Sequence, residues 1–368
     1  MTTTAALGGS PLLDAPLDDL PTADELVRAA VRWHFDPATG SPFWLRRAAT
    51  LGFAPLTEVT GRADLARFPD VSVEWRTVPV EDLVPRGTVG RAGSARIYES
   101  GGTTGAPKRI VELGYWQRTA DWTSVRLDLM GFPRGGNWLY LGPTGPHVAG
   151  RLFTTLARQR GGSCFTVDFD PRWVRRCAQE GRSEEVERYL AHLVDQARWV
   201  LESQQVQILW ATPPVLSAMA ADRALTQLIR DRVGGILWSG TSADPETLHL
   251  LEHEVFPGIP FAGIYGNTLM GVAPQRPGRP DDPSSCVFQP FHPHVLIDLL
   301  DPLTGAETHY GERGQVRLHH LSRDLFLPGI IERDLATRVR PAPGENGDGL
   351  ADVRPLPSAG RPIVEGVY

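Results

Sequence analysis

Between residues 138 and 265, short apolar runs alternate with helix-patterned segments, and this alternation limits the fold more than any other feature of the chain. The runs at 138–141, 163–169, 206–212, 235–239 and 260–265 have the length of strands. Between them, 148–159, 183–204, 214–233 and 244–256 read as helices. In 183–204, Val186, Tyr189, Leu190, Leu193, Ala197, Val200 and Leu201 recur at i, i+3 and i+4, with Ser183 as N-cap. Asp244 followed by Pro245 is a cap with proline at the first helical position. Such alternation predicts an α/β fold with mostly parallel sheets covered by helices.

The flanks differ. Residues 1–22 are small and polar and read as a flexible N-terminal arm. Helices are expected at 24–34, at 43–52 ending on Gly52, and at 60–68, with a further one at 115–130. From residue 287 the pattern changes: 295–300 and 314–321 read as strands of an antiparallel hairpin near the turn Asp301-Pro-Leu-Thr-Gly305. The expected organisation is an arm (1–22), an α/β core (23–286) and a small antiparallel β-rich subdomain (287–368).

One stretch carries the chemistry. Glu99-Ser-Gly-Gly-Thr-Thr-Gly-Ala-Pro-Lys108 lies between Ile97 and Ile110-Val111, so it reads as strand, glycine-rich loop, strand. Glycines let successive N–H groups converge on an anion, threonine hydroxyls add donors, and Lys108 adds a compact charge suited to phosphate. A Walker loop needs Gly-Lys-Ser/Thr opening a helix; here Pro107 precedes the lysine and Arg109 follows it. A formal net charge of -6 argues against nucleic acid as partner. No apolar run approaches the roughly 20 residues of a membrane span, and no secretory leader is visible. Three scattered cysteines fit reduced thiols in a cytoplasm. Gly-x-Ser-x-Gly and Gly-x-Gly-x-x-Gly are both missing, which removes serine hydrolases and dinucleotide dehydrogenases as leading readings. His292, His294, His319 and His320 are close in sequence, but His319 and His320 point to opposite faces of a strand, so no metal site is assigned.

The ordered run Thr103-Thr104-Gly105-Ala106-Pro107-Lys108 resembles the Ser-Gly-Thr-Thr-Gly-x-Pro-Lys phosphate loop of the adenylate-forming superfamily of acyl-CoA synthetases, adenylation domains and luciferases. Further segments follow in the family's order. Tyr265-Gly266-Asn267-Thr268 resembles Tyr-Gly-x-Thr-Glu, with Leu269 in place of the glutamate that holds magnesium. Ser239-Gly240-Thr241-Ser242-Ala243 stands where the family lines its adenine pocket. Gly142-Pro-Thr-Gly-Pro-His147 resembles the segment beside the acyl substrate. Glu332-Arg333-Asp334-Leu335 resembles Thr-Gly-Asp-Leu, and Gly360-Arg361 resembles the hinge motif before a second, lysine-bearing domain, which the chain is expected to lack. The context looks like the phenylacetate–CoA ligase branch, and in outline like truncated stand-alone members of phenazine antibiotic pathways.

The resemblance implies an AMP-forming ligase that joins ATP and a carboxylic acid into an acyl adenylate. Ser100, Gly101, Gly102, Thr103, Thr104, Gly105 and Lys108 would hold the β,γ-phosphates and Thr268 the α-phosphate. Asp334 would hold the ribose, Arg361 the ribose or phosphates, and Tyr265, Gly266, Asn267, Gly240, Thr241 and Ser242 the adenine. His147 would line the carboxylate end. Mg2+ would need ligands other than Leu269. Trp138, Trp210 and Trp238 suggest an aromatic acid. A downstream reductase or acyl-acceptor enzyme would take the adenylate, and a homodimer is left open. Two alternatives stand beside this: a catalytically degenerate nucleotide- and acid-binding protein, and an adenylating enzyme acting on a non-carboxylate such as nitrite.

Overall fold

The computed structural model describes residues 11–88, 95–102, 105–241 and 243–356. Thr103, Thr104, Ser242 and Arg361 lie outside the described residues. Residues 11–14 form a 3-10 turn that buries Leu13, so this part of the expected arm lies against the core.

The first helices are short and capped. In α1 (Ala23–Phe35), Thr22 and Glu25 form a reciprocal capping box, and the buried face presents Leu26, Val27, Ala30 and Val31. The helix α2 (Pro42–Ala48) starts on a Ser41 cap and stops four residues before Gly52. Two single-turn helices follow, α3 (Pro55–Glu58) and α4 (Val80–Leu83). The helix expected at 60–68 is a 3-10 helix, Arg62–Arg67, because Asp64 accepts from the N–H groups of Thr60 and Gly61 and tightens the turn.

The glycine-rich loop closes an antiparallel hairpin, β1 (Arg96–Glu99) with β2 (Arg109–Glu112). After α5 (Tyr115–Leu129) come β3 (Asn137–Leu141), α6 (Val148–Gln159), β4 (Cys164–Val167), α7 (Pro171–Gln179) and α8 (Ser183–Ser203). The cap position of α8 is Arg182, one residue before the expected Ser183, and no side chain bonds there. Next are β5 (Val206–Ala211), α9 (Pro213–Ala220) and α10 (Arg223–Arg232). The single helix expected at 214–233 is thus two, since Asp222 turns its carboxylate onto the Leu225 N–H and caps a new start. After β6 (Gly235–Ser239), α11 (Pro245–His249) opens on its Asp244 cap and widens into a π-helical segment, Leu250–Val255. Then come β7 (Phe261–Asn267) and β8 (Gly271–Pro274).

Among the described residues these strands make one six-stranded sheet in the order β4-β3-β5-β6-β7-β8. Every pair is parallel except β7 with β8. The order reverses beside β3, and ligands of open parallel sheets lie off the carboxyl ends of such strands. The central strands are buried along nearly their whole length, as expected for a sheet covered on both faces. The second sheet is antiparallel: β10 (Val295–Leu300), β11 (Arg313–Leu321), β12 (Phe326–Val339), β13 (Gly349–Pro355) and the short β9 (Val287–Phe288). The mixed α/β architecture with an antiparallel β-rich part is the one read from the sequence.

One cluster of buried apolar side chains runs through both sheets, from Leu13 to Leu350. The turn between β11 and β12 rivets the layers together. Trp33 Nε1 donates to Arg323 O at 3.0 Å, and Trp44 Nε1 donates to Phe326 O at 3.0 Å. The Asp324 carboxylate accepts the N–H groups of Leu113, Gly114 and Tyr115 at 2.7, 2.9 and 2.9 Å. These are the orphan donors at the start of α5, whose Gly114 cap position offers no side chain.

Trp138 and Trp210 belong to the core and not to a pocket. Tyr140 stacks on Trp210 with ring centroids 4.4 Å apart, and Phe153 lies 4.6 Å from Trp210. All four side chains are buried. Of the three tryptophans, Trp238 lies 6.0 Å from the Phe288 ring, and the buried Trp210 packs beneath Gly142, where a Cβ would fall 2.3 Å from its ring.

Candidate functional site

Glycine is required at two points of the loop, where Gly102 and Gly105 have φ of 66° and 133°. Ser100 closes its neck: its N–H donates to Lys108 O at 2.9 Å, and its Oγ accepts the Lys108 N–H at 2.9 Å. The Lys108 ammonium donates to Ser72 Oγ at 2.6 Å. Partial burial draws the lysine's pKa below its usual value, against the pull of Glu332 and Asp70.

The helix α7 holds the loop from outside. Arg172 Nη2 donates to Glu99 Oε2 and to Ser100 O, each at 3.0 Å, and Arg175 Nη1 donates to Gly101 O at 3.1 Å. These arginines were not found from the sequence. The available signal was Asp170-Pro171, a cap followed by a first-turn proline, and the Asp170 carboxylate does accept from Arg172 N and Trp173 N. Few apolar side chains follow it, so periodicity alone did not announce a helix.

The end of β7 meets the same loop. Thr268 Oγ1 donates to Glu99 O at 3.2 Å. Asn267 Oδ1 accepts from the N–H groups of Leu269 and Met270, both at 2.9 Å, and fixes the turn. Gly266 is dictated by packing, since a Cβ there would fall 2.2 Å from Gly271 O on β8. Tyr265 donates its hydroxyl to Asp334 Oδ2 at 2.8 Å, and its ring lies 5.8 Å from Phe288. Burial lifts the Asp334 carboxyl above the usual range, while the Tyr265 hydrogen bond and Arg333 pull it back.

Loop 142–147 reaches the hairpin as well, with Glu99 N–H donating to Pro146 O at 2.8 Å. His147 occupies the cap position of α6. Burial and then the Arg172 charge lower its pKa, so the ring is neutral at pH 7 and can accept a hydrogen bond. At the end of β6, Gly240 and Thr241 follow Ser239, and Thr241 Oγ1 is buried without a partner among the described residues.

Glu332 is the second group the sequence did not single out. It stands two residues before Asp334 on β12, near Lys108, Asp70 and Asn267. Its Oε1 is buried without a partner among the described residues. Burial, and next the like charge of Asp334, push its carboxyl up to about 7. A carboxyl raised in the folded state stabilises the fold while protonated. That contribution is full below about 4.5, the unfolded value, and is lost as pH rises through about 7. Between pH 5 and 8 the native chain is expected to lose about 3 kcal/mol of unfolding free energy relative to Glu332→Gln. Urea unfolding of both proteins across that range checks it, and parallel pH profiles would refute it.

Leu269 offers magnesium no ligand, so any such ion would be held by other carboxylates, phosphates and water. In the place where the resemblance expects a glutamate, Leu269 is 4% exposed and packs in the core. No group of three or more His, Cys, Asp or Glu among the described residues could hold a metal. The histidines of the β-rich part have other bonds: His319 Nε2 lies 2.9 Å from Asp298 Oδ2, His294 Nδ1 lies 2.9 Å from Leu321 O, and His320 Nδ1 lies 2.7 Å from Leu269 O.

No protein-family model matches the sequence, and no curated protein matches it. Solved structures do. The chain is similar to 2-hydroxyisobutyryl-CoA ligase in an open conformation in complex with 2-HIB-AMP and CoA, with a TM-score of 0.63 at 15% identity over 89% of this chain and 67% of that one. The same ligase in the thioesterification state, also with 2-HIB-AMP and CoA, gives 0.63 at 15% identity over 93% and 72%. Its postadenylation state with R3-HIB-AMP gives 0.61 at 14% identity over 95% and 70%. At such identities the likeness is one of fold: the chain has the α/β architecture of these ligases and spans roughly two thirds to three quarters of their length. Among the described residues, no helix is long and apolar enough to cross a membrane.

Proposed function

We propose that the chain binds ATP and a carboxylic acid and joins them as an acyl adenylate, releasing pyrophosphate. The observation that carries this is a convergence. Segments 169 residues apart meet where Thr268 bonds to Glu99 O at the root of the glycine loop. Segments 69 residues apart meet where Tyr265 bonds to Asp334. The glycine-rich loop, Thr268, Tyr265 and Asp334 thus lie together at the end of a parallel strand, which supports reading them as contacts for phosphates, adenine and ribose. The shared fold with a ligase solved with 2-HIB-AMP supports the same reading.

The chemistry needs two anions brought together and charge stabilised as the acid attacks the α-phosphorus. Position and fixed donors carry such a step. The loop N–H groups and Lys108 would take the β,γ-phosphates, with Thr103 and Thr104 as hydroxyl donors. Thr268 would turn from Glu99 O to the α-phosphate. Asp334 has one oxygen on Tyr265 and the other for the ribose hydroxyls. Gly240, Thr241 and Ser242 would border the adenine, Arg361 would reach the ribose or phosphates, and neutral His147 would face the acid. The narrower form of the proposal is an aromatic acid in an antibiotic pathway, with a reductase or acyl-acceptor enzyme taking the adenylate. The buried Trp138 and Trp210 lend it no support, so the acid is best sought across aromatic and aliphatic classes.

The burial of Leu269 favours one second reading, a nucleotide- and acid-binding protein without catalysis. Acid-dependent ATP–pyrophosphate exchange over a panel of carboxylic acids separates the two. Exchange stimulated at least tenfold by one class of acid is expected. ATP binding without exchange for any acid would establish the binder.

A further inference from the structure

Of the 37 lysines and arginines in the chain, Lys108 is the only lysine. Every other such position carries a planar guanidinium, while this one carries a compact ammonium on a flexible stem. Serines hold that stem at both ends. The Lys108 N–H donates to Ser100 Oγ at 2.9 Å, and the ammonium donates to Ser72 Oγ at 2.6 Å. Ser72 lies 36 residues earlier in the chain and is 1% exposed, so its hydroxyl is a fixed acceptor inside the protein. Two further bonds fix the segment that carries it. Asp70 Oδ1 accepts the Ser72 N–H at 2.8 Å, and Asp70 Oδ2 accepts the Ile331 N–H of β12 at 3.3 Å. Close by, Phe68 O stands 3.2 Å from where a Cβ on Gly329 would be, and Gly329 has a φ of 70°. Segment 68–72 therefore lies along the first part of the strand that also carries Asp334.

Building on the adenylating reading of the site, we propose that Ser72 is a positioning residue for Lys108, whose ammonium it holds in place before ATP arrives. A loose lysine loses rotamer freedom when it meets a phosphate, and that loss counts against binding. A lysine already bonded to Ser72 has lost that freedom on folding. The hydroxyl is neutral and takes one of the three ammonium donors, so two remain for phosphate oxygens. The charges of Glu332 and Asp70 favour the charged form of the lysine, and both Asp70 oxygens are turned to backbone N–H groups.

Two measurements on the full chain test this. The first is the rate at which acetic anhydride acetylates Lys108, read by peptide mass spectrometry at the chain's single lysine. Ser72→Ala frees the ammonium and is expected to raise that rate about fivefold. The second is calorimetric titration with ATP of the native chain, Ser72→Ala, Lys108→Met and the double variant, with thermal unfolding as the control for folding. Ser72→Ala is expected to weaken ATP about fivefold, the size of ordering one long side chain. In the Lys108→Met background the same change is expected to alter ATP affinity less than twofold, because the group through which Ser72 acts is gone. Equal weakening in both backgrounds would mean that Ser72 only shapes its own segment, and would overturn the inference. So would a Lys108 acetylation rate, or an ATP affinity, left unchanged by Ser72→Ala. A native chain that binds no ATP would instead overturn the reading of the site, and the acetylation rates would still decide whether Ser72 holds the lysine.

Discussion

Asp334→Ala is expected to weaken AMP binding roughly 30- to 100-fold, which is the loss of about 2–3 kcal/mol when hydroxyls give up hydrogen bonds to a buried carboxylate. The carboxylate is fixed before any ligand arrives, because Tyr265 occupies Oδ2 at 2.8 Å and leaves the second oxygen in a set direction. The same substitution removes a like charge from Glu332, whose carboxyl is pushed up to about 7 in part by Asp334. Glu332 should then titrate closer to its ordinary range, offsetting the stability lost with the Tyr265 hydrogen bond. Asp334→Asn keeps the shape and one acceptor, so a smaller loss, about tenfold, is expected from it. Equilibrium titration with AMP, paired with a pH series of unfolding midpoints, measures both effects. AMP affinity unchanged in Asp334→Ala would remove the ribose assignment.

The largest effect on stability is expected at Asp324, outside the site. Its carboxylate accepts three consecutive N–H groups at the start of α5 from a position 5% exposed. Burial alone would favour the protonated acid and lifts its pKa, while the three donors favour the charged form. Asp324→Ala leaves those N–H groups buried without an acceptor at a helix start that has no other cap. A loss of about 3–5 kcal/mol is expected, read as a lower urea midpoint with an unchanged slope. Because the same turn carries the bonds to Trp33 and His34, the damage should reach the docking of α1 as well. A loss under about 1 kcal/mol would show that water replaces the carboxylate, and that the turn is no rivet.

Where one side chain decided an element locally, the sequence was legible. Strands β3 and β5 to β7 are apolar runs buried on both faces, and α6 runs from Val148 to Gln159 as its pattern predicts. The hairpin around the glycine loop, the turn at Asn267 and the pairing of β10 with β11 follow from glycine, Asx and turn chemistry. What stayed hidden depended on partners distant in sequence. Arg172 and Arg175 gain meaning only from carbonyls more than 70 residues away. Glu332 is unusual only because burial and Asp334 make it so. Trp138 and Trp210 looked like pocket material, since aromatic content does not reveal that Tyr140 and Phe153 stack upon Trp210.

The central claim is that Tyr265, Thr268, Asp334 and the loop ending at Lys108 form one nucleotide site. A crystal structure of the chain with AMP tests it most directly. The ribose hydroxyls are expected on Asp334, the adenine beside Tyr265 and Thr241, and the phosphate between Thr268 and Lys108. AMP bound elsewhere, or a Tyr265–Asp334 pair untouched at saturating AMP, would contradict it.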